Sequence, residues 1–424
     1  MTIRPPVAAA SRPLTVSASL AALLLACLAM ATSAIVFSEP APVDALMLGL
    51  AVAMPLVGVV AIGAIGITGF MLWLVVVATG YAAALQSPTL DTATIHLAVT
   101  LYLAAFAMVL GGFIAADPRR MTPLMWAYVT GAGVAATAAV IGYFNIVPGF
   151  QELFTNYGRA RGTFKDPNVL GAALAPAVVF LVWQMLRGAK RRAAIAAMAV
   201  GPIALALLLS FSRGAWISTA VSLLVVGIAS LAQARRRDDF RRLLVIAIAA
   251  PVALVVAALA VTQIDAIADL LGQRASLDQS YDQGPEGRFG GQSKAWNLVL
   301  DNPQGIGTHT FRTLHHHEEA HNVYLSMALS SGWLGGFAYI GLVALTLFAG
   351  FRDVWSGRDP SGLQLVATAS FAGLAFEGVV IDTDHWRHFF ILQGFVWGLA
   401  DASGHHFRVR PEARRADDRV VTPG

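Results

Sequence analysis

The sequence predicts an all-α polytopic membrane protein of about twelve transmembrane helices, with a long loop between the ninth and tenth spans. Three observations lead there. Apolar residues make up 57% of the 424-residue chain and charged residues 13%, about half the charge of a soluble domain. Apolar runs long enough to cross a bilayer recur from end to end. These runs lack the strict alternation of barrel strands, and a backbone in lipid must then satisfy its hydrogen bonds as helix.

Taken in order, the expected spans cover residues 15–37, 43–61, 63–85, 93–115, 121–143, 168–187, 193–210, 214–233, 241–262, 321–349, 362–381 and 386–403. The second and third are divided only by the glycine-bearing region Ala61-Ile62-Gly63. This gives an N-terminal segment 1–14, a nine-span block 15–262, a loop 263–320, a three-span block 321–403 and a tail 404–424.

Basic residues set the expected orientation, because Lys and Arg favour the cytoplasmic side of short loops. Arg119-Arg120, Lys190-Arg191-Arg192, Arg235-Arg236-Arg237, Arg352 with Arg358, and the tail from Arg408 onward all follow even-numbered spans. Both termini are therefore expected in the cytoplasm. Against the charge rule, the opposite face carries Arg159 and Arg161, Arg213, and then Arg274, Arg288 and Arg312. Single arginines at span ends can snorkel to lipid phosphates. The whole set on one face fits an anion site better.

Composition excludes several other classes. The net charge of +4 is concentrated in short loops between spans and gives no reason to expect nucleic-acid binding. The single cysteine, Cys27, leaves no intrachain disulfide and no thiolate metal cluster. Leu24-Leu25-Ala26-Cys27 has a faint likeness to a lipoprotein cleavage site, but it lies inside an apolar run that continues to Phe37. Trp73, Trp126 and Trp386 lie near span ends and read as interfacial anchors.

Three helix starts share the arginine-bearing face. Asp166-Pro167 suits an N-cap followed by proline in the first turn of the sixth span. Ser212 suits a cap for the eighth, and His321-Asn322 opens the tenth. A helix N-terminus offers free amides and partial positive charge, so cations beside it make a phosphate-binding arrangement.

The motifs Arg161-Gly-Thr-Phe-x-x-Pro-Asn168, Ser210-Phe-Ser-Arg-Gly214, Asn302-Pro-Gln-Gly-Ile-Gly307 and Ala320-His-Asn-Val-Tyr-Leu325 resemble, in order and spacing, the O-antigen ligase and polymerase superfamily. That resemblance implies an inverting, metal-independent glycosyl transfer without cofactor, at the periplasmic face of a bacterial inner membrane. The loop 263–320 would then be periplasmic. The donor would be a glycan on undecaprenyl pyrophosphate and the acceptor a hydroxyl of lipid A core, for a ligase, or of another lipid-linked glycan, for a polymerase. The surroundings would be membrane lipids, with no nucleic-acid partner. Position by position, the resemblance assigns the pyrophosphate to Arg161 and Arg213, with Arg288 matching more loosely, and the catalytic role to His321. Arginine suits phosphate as a fixed fork of donors with a permanent charge, and an imidazole can take a hydroxyl proton near neutral pH. Many members carry a glutamate about nine residues beyond the histidine, where Ser330-Ser331-Gly332 stands here. The acidic helper is accordingly expected among Glu318, Glu319, Asp382 and Asp384.

Two other classes fit parts of the chain. His317-Glu318-x-x-His321 reads as a zinc peptidase motif, with a further ligand available near Asp382-Thr-Asp384-His385. It requires a helix that begins before His317, whereas the apolar run begins near His321, and it gives no use to the arginines; no metal site is assigned. The run His315–His317 reads as a solvated loop. A transporter of an anionic lipid or sugar would place its site near mid-membrane at broken helices. Glu377, the lone acid within a late span, lies near the expected outer end of the eleventh.

Overall fold

The computed structural model describes residues 12–187, 189–233, 284–359 and 361–416. The expected ninth span, the cluster Arg235-Arg236-Arg237, and Arg274 lie outside them. The described chain is helical: α1 (Arg12–Thr32), α2 (Pro42–Leu56), α3 (Ala64–Ala84), α4 (Leu90–Ala116), α5 (Met121–Tyr143), the short α6 (Phe150–Phe154), α7 (Pro167–Arg187), α8 (Lys190–Leu209), α9 (Arg213–Gln233), α10 (Arg288–Asp301), α11 (Val323–Trp355), α12 (Leu363–Glu377) and α13 (Arg387–Ala416). Its one described sheet is a two-stranded hairpin, Thr155–Asn156 with Arg159–Ala160. Seven of the helices are long and apolar enough to cross a membrane, and Ser17–Thr32, Pro42–Leu56 and Leu363–Glu377 are apolar but shorter.

The division between the second and third spans is real. The chain leaves helix after Leu56, and α3 restarts at Ala64, where the Asp401 carboxylate accepts from the Ile65 and Gly66 amides at 3.0 Å each. A carboxylate from α13 thus does what a local cap would do, satisfying free amides and meeting the positive end of the helix. A side chain on Gly63 would collide with Asp401, which explains glycine there. At the other end of α13, Arg387 forms a forked pair with Asp44 (2.6 and 2.7 Å), to which Tyr102 also donates, tying α13 to α2 and α4. Trp73 is not an interfacial anchor: it is fully buried, stacked on Phe390, with its indole N–H on Gln393 at 3.1 Å. A satisfied N–H lets so large an apolar ring sit in the core.

The glycine-rich motif of residues 302–307 explains a break in α11. Gly332 has φ +69° and ψ −174°, a region open essentially to glycine. The loop backbone fills the break: the Trp333 amide donates to Pro303 O at 2.9 Å and the Ile306 amide to Leu329 O at 2.7 Å. A Cβ on Gly332 would stand 2.5 Å from Pro303 O. Strain and clash together predict that Gly332→Ala costs more than about 3 kcal/mol, read as a lowered melting temperature in detergent. Gly341, farther along the same helix with open space around it, is the control, and its alanine variant should melt at or slightly above wild type.

Candidate functional site

The sixth and eighth spans begin as the sequence requires. Asp166 Oδ1 accepts from the Asn168 amide at 2.7 Å, capping α7. Ser212 Oγ accepts from the Ala215 amide at 3.3 Å, capping α9, so that Arg213 is its first residue. A cavity of about 220 Å³ lies between these starts, lined by Arg159, Asn168, Ser212, Arg213, Arg288 and Glu377 among others. Three arginines from separate segments thus face one space.

The arginine that lines the cavity is Arg159, two residues ahead of the first motif, and not Arg161, which opens it. Arg159 is buried, with Nε donating to Ser210 O and Nη2 to Asn168 Oδ1, both at 2.7 Å. Arg161 turns away: its guanidinium donates to Leu153 O at 3.2 Å and to Glu152 O at 3.5 Å, at the C-terminal end of α6. The hairpin ends at Ala160 and the chain turns at Gly162 (φ +53°), so the two side chains diverge.

Glu377, the last residue of α12, completes the cavity wall. It is 1% exposed, and neither carboxylate oxygen makes a well-formed hydrogen bond among the described residues. A side chain on Gly214 would meet its Oε1 at 3.1 Å, so the glycine lets α9 come close. The sequence placed Arg159 among the arginines of the anion-binding face but did not assign it to the pyrophosphate, and it gave Glu377 no role in the site. An acid inside an apolar span was the available signal for Glu377.

His321 precedes α11 in a left-handed conformation (φ +49°), and Asn322 caps that helix by accepting from the Tyr324 and Leu325 amides. The imidazole Nε2 lies 3.0 Å from Glu318 Oε2. The backbone around His321 touches three other parts of the site. Its carbonyl accepts from Gln292, one turn beyond Arg288 on α10, at 3.0 Å. Its amide donates to Asp382 Oδ2 at 3.1 Å, and the Val323 amide donates to Gly378 O, next to Glu377. His321 lines neither this cavity nor the next, but is held between them.

The other acids expected as helpers line a second cavity of about 150 Å³, with His96, His309 and Ser326. Glu319 pairs with His309 Nδ1 at 3.0 Å and approaches Arg312 Nε at 3.7 Å. Asp384 lies 3.1 Å from His96, and His385 stacks on His96 with Nε2 on Thr100 Oγ1 at 2.8 Å. Burial acts to raise the Asp384 carboxyl, but the hydrogen bond with His96 and the two neighbouring imidazoles outweigh it and hold it below the usual range. Burial and the adjoining His96 push His385 down to about 3.

Burial, and then the Asp384 charge, push Asp382 up to about 7, against the hydrogen bond from Ser326 and that from the His321 amide. Between the ordinary carboxylate value and about 7 the folded protein holds a proton that the unfolded chain has released, so stability falls as pH rises through that window. The purified protein should melt roughly 2–4 °C lower at pH 8 than at pH 5.5. Asp382→Asn should flatten that difference; an equal slope in the variant would assign it elsewhere.

The zinc-peptidase geometry is not formed. Residues 317–321 are not helical, α11 begins at Val323, and His317 and His321 pair with different acids, Glu286 and Glu318.

Fold and site together define a multi-pass, helical membrane protein with a polybasic cavity at convergent helix starts. Residues 198–340 match the family described as O-antigen ligase, which places this segment, and with it Arg213, Arg288 and His321, in the O-antigen ligase and polymerase superfamily. No curated protein matches the chain.

Proposed function

We propose that this protein transfers a glycan from undecaprenyl pyrophosphate to a sugar hydroxyl at the periplasmic face of the inner membrane, as an O-antigen ligase acting on lipid A core. The observation that carries this reading is the convergence of Arg159, Arg213 and Arg288 on one cavity beside the α9 N-terminus. The leaving pyrophosphate gains negative charge as the anomeric bond breaks, and fixed guanidinium donors stabilise that charge without reorganising.

Glu318 accepts the Nε2 proton of His321 and orients the ring, leaving the Nδ1 lone pair for the acceptor hydroxyl. As that proton moves to Nδ1, the acceptor oxygen forms a bond to the anomeric carbon, and the bond from that carbon to the pyrophosphate oxygen breaks with its electron pair. A single displacement inverts the anomeric configuration. No step calls for a metal. The second cavity, with its imidazoles and carboxylates, suits the hydroxyls of an acceptor glycan.

The break at Gly332 gives a transporter little support, because the loop backbone already occupies its freed groups. The test is reconstitution in liposomes with a lipid-pyrophosphate glycan, chelator, and either lipid A core or a second lipid-linked glycan. Transfer to lipid A core supports a ligase, and lengthening of the lipid-linked glycan identifies a polymerase. Transfer to neither, with the donor bound but intact, overturns the reading.

A further inference from the structure

The histidine run that the proposed chemistry leaves unused has the geometry of a metal site. His316 is 7% exposed, and its ring packs against Gly291 of α10 and stacks on Phe311. Its Nδ1 lies 3.1 Å from both the amide and the carbonyl of Glu318. In the tautomer that donates to the carbonyl, Nε2 carries a free lone pair, an outer-shell arrangement common among metal-binding histidines. That Nε2 is buried and makes no hydrogen bond among the described residues. It points to Glu286 Oε2, 3.8 Å away, and His317 Nδ1 lies 3.4 Å from the same oxygen.

These separations are long for hydrogen bonds. They are close to what a shared tetrahedral ion demands, since donors at about 2.1 Å from zinc stand about 3.4 Å apart. We propose that Glu286, His316 and His317 bind a divalent transition metal of the zinc class through two imidazoles and one carboxylate, with a fourth position open to solvent. Imidazole with carboxylate suits zinc better than calcium or magnesium, which prefer all-oxygen sites. The half-exposed His317 and the exposed Glu286 leave the site open to ions from solution.

The ion would join two segments that flank the proposed reaction centre. Glu286 stands two residues before Arg288, and His317 adjoins Glu318, the partner of His321. It would hold them at their present spacing without touching the reacting groups. The inference does not depend on glycan transfer, and its test reads metal alone.

Untagged full-length protein in detergent is stripped with chelator, exchanged into metal-free buffer and titrated with zinc against a chromophoric chelator. About one zinc per chain should bind, with affinity at least about tenfold weaker in His316→Ala, His317→Ala and Glu286→Gln. His96→Ala, in the separate His96–Asp384–His385 group, should bind as wild type does. Glu286 is exposed, so its variant reads the site even if loss of His316 disturbs folding. No stoichiometric zinc in the wild type, unchanged affinity in both Glu286→Gln and His317→Ala, or loss confined to His96→Ala would overturn the proposal.

Discussion

Arg159→Ala lowers glycan transfer by about 10²–10³-fold, whereas Arg161→Ala stays within roughly fivefold of wild type. The contrast follows from where the two guanidinium groups lie. Arg159 is fixed at the cavity by the Ser210 carbonyl and the Asn168 side chain, so its charge meets the pyrophosphate already oriented. Arg161 serves the carbonyls at the end of α6, and its loss costs local stability rather than transition-state charge. Arg159→Lys separates charge from shape: a lysine keeps the cation but cannot reach both partners as a fork, and should recover only part of the loss. Activity is to be compared at equal amounts of protein that elute as a single species in detergent. Equal losses at both arginines would place the pyrophosphate elsewhere.

His321→Ala lowers transfer by about 10²–10⁴-fold without lowering the melting temperature appreciably. The packing around it is made by its backbone, through Asp382 and Gln292, and these bonds survive removal of the ring. Glu318→Gln should cost less, about tenfold, because an amide can still orient the imidazole but no longer stabilises its charged form. Transfer kept near the wild-type rate in His321→Ala would give the base role to another group.

Much of the frame was legible because its determinants are local. Asp166 and Ser212 announce their helices by residue type and by the residues that follow, and both cap as expected; the His321-Asn322 pair marked the start of the next, which Asn322 caps. The helix break at Gly63 was legible as a glycine between apolar runs, though the Asp401 carboxylate that finishes it lies more than three hundred positions away. Distance along the chain is also what hid parts of the site. Glu377 meets Gly214, and His96 meets Asp384, only through packing of separate helices. Arg159 and Arg161 could not be ranked from spacing, because the hairpin ends between them. The HExxH pattern misleads for a related reason: its spacing has meaning only on a helix, and that segment is not helical before the cap of α11.

The central claim divides binding from chemistry between Arg213 and His321, so the most direct measurement is donor affinity alone. A lipid-pyrophosphate glycan is titrated, without acceptor, into wild type, Arg213→Ala and His321→Ala in nanodiscs. The account predicts donor affinity lowered by at least about tenfold in Arg213→Ala and unchanged in His321→Ala, although both have lost transfer. Donor binding kept in Arg213→Ala but lost in His321→Ala would contradict it.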